Sequence, residues 1–152
     1  MTSAIAALSH TTQYRVIYGD TDTMGVVYHA NYLRWFEMGR SELFRWLGLP
    51  YREIEARGFL LPVSEANCKY LAPARYDDVV VIQTTLNPAF RAGMQFDYVI
   101  SSEDGSLAHA TGYTRHAFVT QKGKVVRPPD FIRELVRGEM SDDTALYTQE
   151  GH

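Results

Sequence analysis

Between Asn31 and Leu47 the apolar residues recur at helical spacing. Tyr32, Trp35, Phe36, Gly39, Leu43, Trp46 and Leu47 fall at offsets 0, 3, 4, 7, 11, 14 and 15, which is one face of a helix. Leu33 and Phe44 widen that face, and Arg34, Glu37, Ser41 and Arg45 form a narrow polar stripe. The pattern predicts a helix buried over much of its circumference. Gly39 sits in the middle of the apolar face. Glycine in a helix interior costs about 1 kcal/mol relative to alanine, and close approach of a neighbouring backbone is the expected compensation. Gly48 and Pro50 end the helix, and Tyr51–Arg57 can form one or two further turns.

Elsewhere strand signals dominate. Gln13–Tyr18, QYRVIY, is rich in β-formers and reads as a first strand. Leu60–Leu71, bounded by Pro62 and Pro73, and Val79–Leu86 are further strands. Met94, Phe96, Tyr98 and Ile100 alternate with Gln95, Asp97 and Ser101, as a half-buried strand requires. Asp104-Gly105 signals a hairpin turn, and Leu107–Thr120 reads as one long strand. Its Ala108, Ala110 and Gly112 share a face that is nearly flat, against which the bulky helix could lie. Lys122-Gly123-Lys124 turns the chain into Val125 and Val126, and Pro128–Arg137 reads as a short terminal helix. The order is strand, helix, then a run of strands. It predicts an α+β fold, an antiparallel sheet wrapped around one long central helix. A length of 152 residues suits a single domain, 1–152, with flexible ends at 1–11 and 139–152.

Fifteen basic and eighteen acidic residues leave a net charge of −3. Nucleic-acid binding needs concentrated Lys and Arg, so no nucleic-acid partner is expected. The sole cysteine, Cys68, rules out an intrachain disulfide and fits a reducing, cytoplasmic setting, where it reads as a small packing residue. No apolar run reaches the ~18 residues of a membrane span. The start, MTSAIAALSHTTQ, lacks a basic segment before its short apolar stretch and reads as a loose leader.

The chemistry-bearing stretch is YGDTDTMGVVYHANYLRWFE, residues 18–37. Asp20 and Asp22 lie in a turn punctuated by Gly19 and Gly25, and His29 stands at the start of the buried helix. A plain reading makes the aspartates turn residues and His29 a structural hydrogen-bonder. A sharper reading takes them together. Amides near Tyr28, His29 and Ala30 open the helix without intrahelical acceptors, and such an end favours negative charge. A carboxylate facing it can attack or deprotonate water while the amides stabilise an oxyanion, which suits acyl transfer or hydrolysis. Asn31 reads as a helix cap or a holder of water, Arg40 as an ion-pair partner of Glu37, and Glu65 as a solvated strand residue. Asp20, Asp22 and His29 lack the spacing of a zinc or calcium loop, so no metal is expected. Neither dinucleotide nor nucleoside-triphosphate glycine motifs occur.

This stretch, with YLAPARYDDVVVI at 70–82 and the strand FDYVIS, resembles the 4-hydroxybenzoyl-CoA thioesterase-like branch of the hotdog-fold thioesterases. The run Tyr28-His29-Ala30-Asn31-Tyr32 is most similar to its acyl-CoA thioesterase subgroup, which includes proteins associated with the Tol-Pal system. The resemblance implies a hotdog fold and hydrolysis of an acyl-CoA or acyl-carrier thioester, with coenzyme A present only as part of the substrate. It implies that Asp22 is the catalytic acid residue, as nucleophile or as general base. The backbone amide at His29 would polarise the thioester carbonyl, with its side chain also implicated, and Asp20 would be structural. Tyr28, Ala30 and Asn31 become candidate substrate contacts. Arg75 and Arg91, with Lys69, Lys122 and Lys124 behind them, become candidates for the coenzyme A phosphates. The resemblance further implies homodimers that pair into homotetramers. Two rivals remain: a hotdog dehydratase or hydratase acting on acyl thioesters, and a non-catalytic acyl-thioester binding module.

Overall fold

The structure, a computed structural model, describes residues 8–137; the expectations for residues 1–7 and 138–152 lie outside the described residues. Strands β1 (Ser9–Arg15), β3 (Val63–Tyr70), β4 (Val79–Asn87), β5 (Met94–Ser102) and β6 (Ala108–His116) form one sheet in the order β1-β4-β5-β6-β3. Every neighbouring pair in it is antiparallel. Short strands β2 (Phe59–Leu60), β7 (Phe118–Thr120) and β8 (Val125–Val126) make a second sheet in the order β2-β7-β8. Helix α1 (Asn31–Trp46) packs across the large sheet, followed by α2 (Tyr51–Ala56) and, near the end, α3 (Asp130–Arg137). The arrangement is the expected α+β hotdog: a curved antiparallel sheet around a long helix. No helix among the described residues is long and apolar enough to cross a membrane.

The helical pattern of 31–47 is realised to within a residue. Tyr32, Trp35, Phe36, Leu43 and Phe44 are buried, and they meet the inward row of β5, Met94, Phe96, Tyr98 and Ile100, which is buried as well. Phe36 stacks on Tyr98 with ring centroids 4.1 Å apart, and Phe44 meets Phe96 edge-on. Two glycines set the closeness of the layers. A Cβ at Gly39 would stand 2.3 Å from Thr84 Oγ1 and 2.7 Å from Ile82 Cγ2. One at Gly112 would meet the Asn67 carbonyl oxygen at 2.1 Å and the Phe36 ring at 2.9 Å.

Several expectations shift. β1 begins at Ser9 and ends at Arg15, so part of the stretch expected to be loose is paired with β4. Its polar residues gain ladder hydrogen bonds that no hydrophobic alternation announces. Trp46 is 52% exposed, and its ring stacks on His10 of β1, the edge strand of the large sheet. The strand expected over Leu107–Thr120 divides at Ala117, and its second part joins the small sheet. Ala108 does not share the face of Ala110 and Gly112. Ile100 pairs with Ala110 but Ser101 pairs with Ala108, so His109 is an extra residue. Such a bulge exchanges the faces of the residues beyond it. His109 is buried, and its Nδ1 lies 2.9 Å from the Ala72 carbonyl.

Candidate active site

Asp20 is the hub of the turn before α1. It is 3% exposed. Its Oδ2 accepts from Tyr14 Oη at 2.7 Å and from the Ile17 amide at 3.0 Å. Its carbonyl accepts from the Tyr28 amide at 2.8 Å and from Asn31 Nδ2 at 2.9 Å. Burial, reinforced by the Asp20 carboxylate, pushes the Tyr14 phenol up to about 12, so it stays a donor. Asp20 therefore ties β1, the turn and the first residue of α1 together.

Asp22 occupies the tip of this turn. Thr21 pairs with Val27 across it, and the Asp22 amide donates to the Val26 carbonyl at 2.9 Å. Asp22 is half-buried, and its Oδ1 accepts from the Met24 amide at 2.8 Å. Oδ2 accepts no hydrogen bond from the described residues. The segment after β3 braces the turn from the other side. Val26 bridges Arg75, the Val27 amide donates to the Ala74 carbonyl, and the Ala74 amide donates to Tyr32 Oη. The Asp22 loop is thus pinned to the core at both ends while its carboxylate remains available.

The start of α1 carries the complementary groups. The amides of Tyr28, Asn31, Tyr32 and Leu33 each reach a carbonyl, whereas those of His29 and Ala30 find no acceptor among the described residues. No side chain caps the helix; its N-cap is Ala30. Asn31, expected to cap, is buried, and its side chain straps the Asp20 carbonyl instead. The His29 ring lies against Tyr28, and Tyr70 meets it edge-on. Tyr70 Oη donates to the His29 carbonyl at 3.0 Å. Burial and a contact with Cys68 raise the Tyr70 phenol to about 12. Burial likewise raises the Cys68 thiol, which disfavours the thiolate. Two free N–H groups at a helix start can hold an oxyanion. The turn that carries the Asp22 carboxylate, a group able to act as base or nucleophile, is tied to that helix start through the Asp20 carbonyl.

The structure brings Asp22, Tyr28, His29, Ala30, Asn31 and the Arg75 backbone to one place. Arg91 stands apart, in the β4–β5 loop. It lines an apolar groove of about 100 Å³ with Phe90, Pro128, Ile132 and Arg133. Arg40 makes no ion pair with Glu37. Its Nη1 reaches Tyr98 Oη at 3.4 Å. Glu65 is an exposed strand residue, as expected, and pairs with Tyr113 and Arg115 on the outer face of the sheet. Sequence reasoning did not single out Tyr70. Its signal was there: Tyr70 opens the YLAPAR run, whose backbone braces the Asp22 turn.

Fold and site together are those of a hotdog thioester enzyme. The chain belongs to the thioesterase-like superfamily, whose family model matches residues 16–136. It is similar to the acyl-CoA thioester hydrolase YbgC of Escherichia coli O157:H7, at 34% identity over 93 residues, 61% of this chain and 69% of that protein. Among solved structures it is similar to a hypothetical protein from Aquifex aeolicus, with 34% identity, a TM-score of 0.77 and coverage of 84% of this chain and 98% of the other. It is also similar to a mutant 4-hydroxybenzoyl-CoA thioesterase solved with 4-hydroxybenzoyl-CoA. That match has 27% identity, a TM-score of 0.76 and coverage of 86% and 99%.

Proposed function

We propose that this protein hydrolyses acyl-CoA thioesters to a free carboxylic acid and coenzyme A. The observation that carries the reading is the pair of unclaimed amides at His29 and Ala30, beside a turn that holds the half-buried Asp22. The thioester carbonyl oxygen accepts from these amides, which stabilise the negative charge it gains on attack. Asp22 acts on the carbonyl carbon directly or through a water it deprotonates. The His29 side chain, held against Tyr28 and Tyr70, orients the thioester or the water. Tyr28 and Ala30 line the approach, and Asn31 keeps turn and helix in register. The reading calls on no resident cofactor or metal.

Coenzyme A brings phosphates. Arg75, exposed beside the turn, is suited to the nearer ones. Arg91 shares one surface depression with Arg127 and Arg133, a concentration of positive charge that suits the nucleotide end. The setting we infer is cytoplasmic, in keeping with the lone cysteine. We infer a homodimer formed along β3, with pairs associating further into a tetramer. β3 is a sheet edge and exposed at all but one of its positions. Apolar side chains cluster near it, with Met24, Tyr28, Val63, Tyr70 and Leu71 each between 47% and 80% exposed. A second strand added there covers both backbone and side chains.

The test is release of free thiol from a panel of acyl-CoA substrates by the wild type and Asp22→Asn. The variant is expected to fold and bind substrate but to lose turnover. Full activity in the variant rejects the mechanism, and hydration of enoyl-CoA without thiol release moves the protein to the dehydratase class.

A further inference from the structure

A second polar constellation lies along α1 from the catalytic end. Leu33, Glu37, Arg40, Ser41 and Phe44 share one helical face. Leu33 is 40% exposed, Glu37 is exposed, Arg40 and Ser41 are half-buried and Phe44 is buried. The face therefore sinks into the molecule as it leaves the amino end. β3 runs beside it. Cys68 and Ala66 pair with Gly112 and Thr114, and Gly112 faces Phe36, so these small β3 residues point toward α1. Tyr70, at the end of β3, packs edge-on against Tyr32 and reaches the His29 carbonyl at the helix start. Further along α1 is a cavity of about 220 Å³, lined by Arg40, Ser41, Tyr51, Leu61 and His116 with Glu37 at its side.

The hydrogen bonds around the cavity have a fixed direction. A carbonyl can only accept, so His116 Nδ1–H donates to Leu61 O at 3.0 Å. Burial, helped by the Arg40 charge, holds the His116 pKa down to about 4, so the ring is neutral and Nε2 is an acceptor. Thr114 therefore spends its hydroxyl proton on Nε2 at 2.9 Å. Tyr98 then donates to Thr114 Oγ1 at 2.6 Å. Tyr98 oxygen is left to accept from Arg40 Nη1 at 3.4 Å. That long contact uses one of the five guanidinium donors. Arg40 has no carboxylate within 4.0 Å among the described residues. Tyr51 oxygen accepts from the Leu61 amide at 3.0 Å, which leaves its own proton for another acceptor. Glu37 is the cavity's acidic member, but it is open to solvent, where water screens it. The cavity is rich in donors and short of acceptors, and its cation is half-buried and lacks a counter-ion among the described residues.

We propose that an acyl group runs from the helix start between α1 and β3 to this cavity and ends in a carboxylate bound by Arg40, so that the substrate class is a medium-length ω-carboxyacyl thioester. This rests on thioester hydrolysis at Asp22. From Asn31 to Arg40 the helix rises about 13 Å. The guanidinium reaches back to Tyr98, which stacks one turn earlier on Phe36. An extended chain gains roughly 3.5 Å per three bonds, so about six to ten carbons bridge the carbonyl site and Arg40.

The experiment compares kcat/KM for octanedioyl-CoA, octanoyl-CoA and ω-hydroxyoctanoyl-CoA. The wild type is expected to prefer octanedioyl-CoA over octanoyl-CoA by about tenfold or more, and Arg40→Gln to shrink that ratio by a similar factor. A wild-type ratio near one, a ratio unchanged in Arg40→Gln, or a preference for the hydroxyacyl substrate overturns the proposal. If Arg40→Gln does not fold, Tyr51→Phe and Ser41→Ala must lower the same ratio, and an unchanged ratio in both overturns it. Failure to cleave any thioester sinks the hydrolase reading instead. Calorimetry with free octanedioate then tests the Arg40 site alone, and absence of binding overturns it.

Discussion

At its amino end α1 offers two peptide N–H groups, those of His29 and Ala30, that nothing among the described residues accepts. A little over two turns further on, at Gly39, the same helix has no room for a methyl group. The first region is open and underused in hydrogen bonding, yet it is held in place from below by Asp20 and its partners. The second is closed and fully used in packing. Stability in this molecule is invested in the body of the helix, and the chemistry we propose falls to an end that the body keeps still. A change at the amino end should therefore cost activity without unfolding, and a change in the body should do the reverse.

Asp22→Asn is the largest expected effect on the amino-end side. Loss of a general base or nucleophile lowers kcat/KM by about 10²–10⁴-fold. The melting temperature should stay put, because the amide oxygen can still accept from Met24. A parallel fall in melting temperature would erase the contrast. Gly39→Val attacks the body. It drives a branched side chain into Ile82 and Thr84, and overpacking of this kind costs about 3 kcal/mol. Denaturant unfolding should show that loss, with activity per folded molecule changed far less.

His116 sharpens the comparison through pH. Its folded-state pKa is depressed to about 4 from an ordinary 6.5. Below about pH 6.5 the unfolded chain takes up a proton at this position that the folded chain refuses, so unfolding gains. The contribution is whole above that pH and is lost progressively between about 6.5 and 4. At about 1.4 kcal/mol per pH unit it amounts to about 3 kcal/mol at most. Thermal melts across this window should fall with pH, and more steeply in the wild type than in His116→Gln. The smallest effect concerns Thr84, fully buried, whose Oγ1 has no hydrogen-bond partner among the described residues. Thr84→Val removes a stranded polar atom at constant shape and should raise stability by about 1 kcal/mol in the same denaturant experiment.

The body of α1 was the most legible part of the chain because packing writes itself as periodicity. Tyr32 through Leu43 and the alternating row on β5 were each legible as a buried face, although the helix was expected against Ala108, Ala110 and Gly112 rather than against β5. The Asp22–His29 stretch was legible as chemistry because it is contiguous. What the pattern concealed was of two kinds. One was a local irregularity: Ala108, His109 and Ala110 read as uninterrupted alternation, and nothing in the residue types marks the bulge at His109. The other was long-range polar contact. Arg40, Tyr98, Thr114 and His116 are scattered along the sequence and meet only once the sheet has curled. Asn31 was misjudged for a related reason. Asparagine before a helix suggests a cap, but the nearby Asp20 carbonyl captured its side chain.

Tyr70 ends the exposed edge strand, and its hydroxyl holds the carbonyl of His29 at the threshold of α1. Any strand that docks along β3 arrives next to this phenol. In the dimer proposed above, subunit association and the alignment of the helix start share a single bolt, and tightening one end of it is felt at the other.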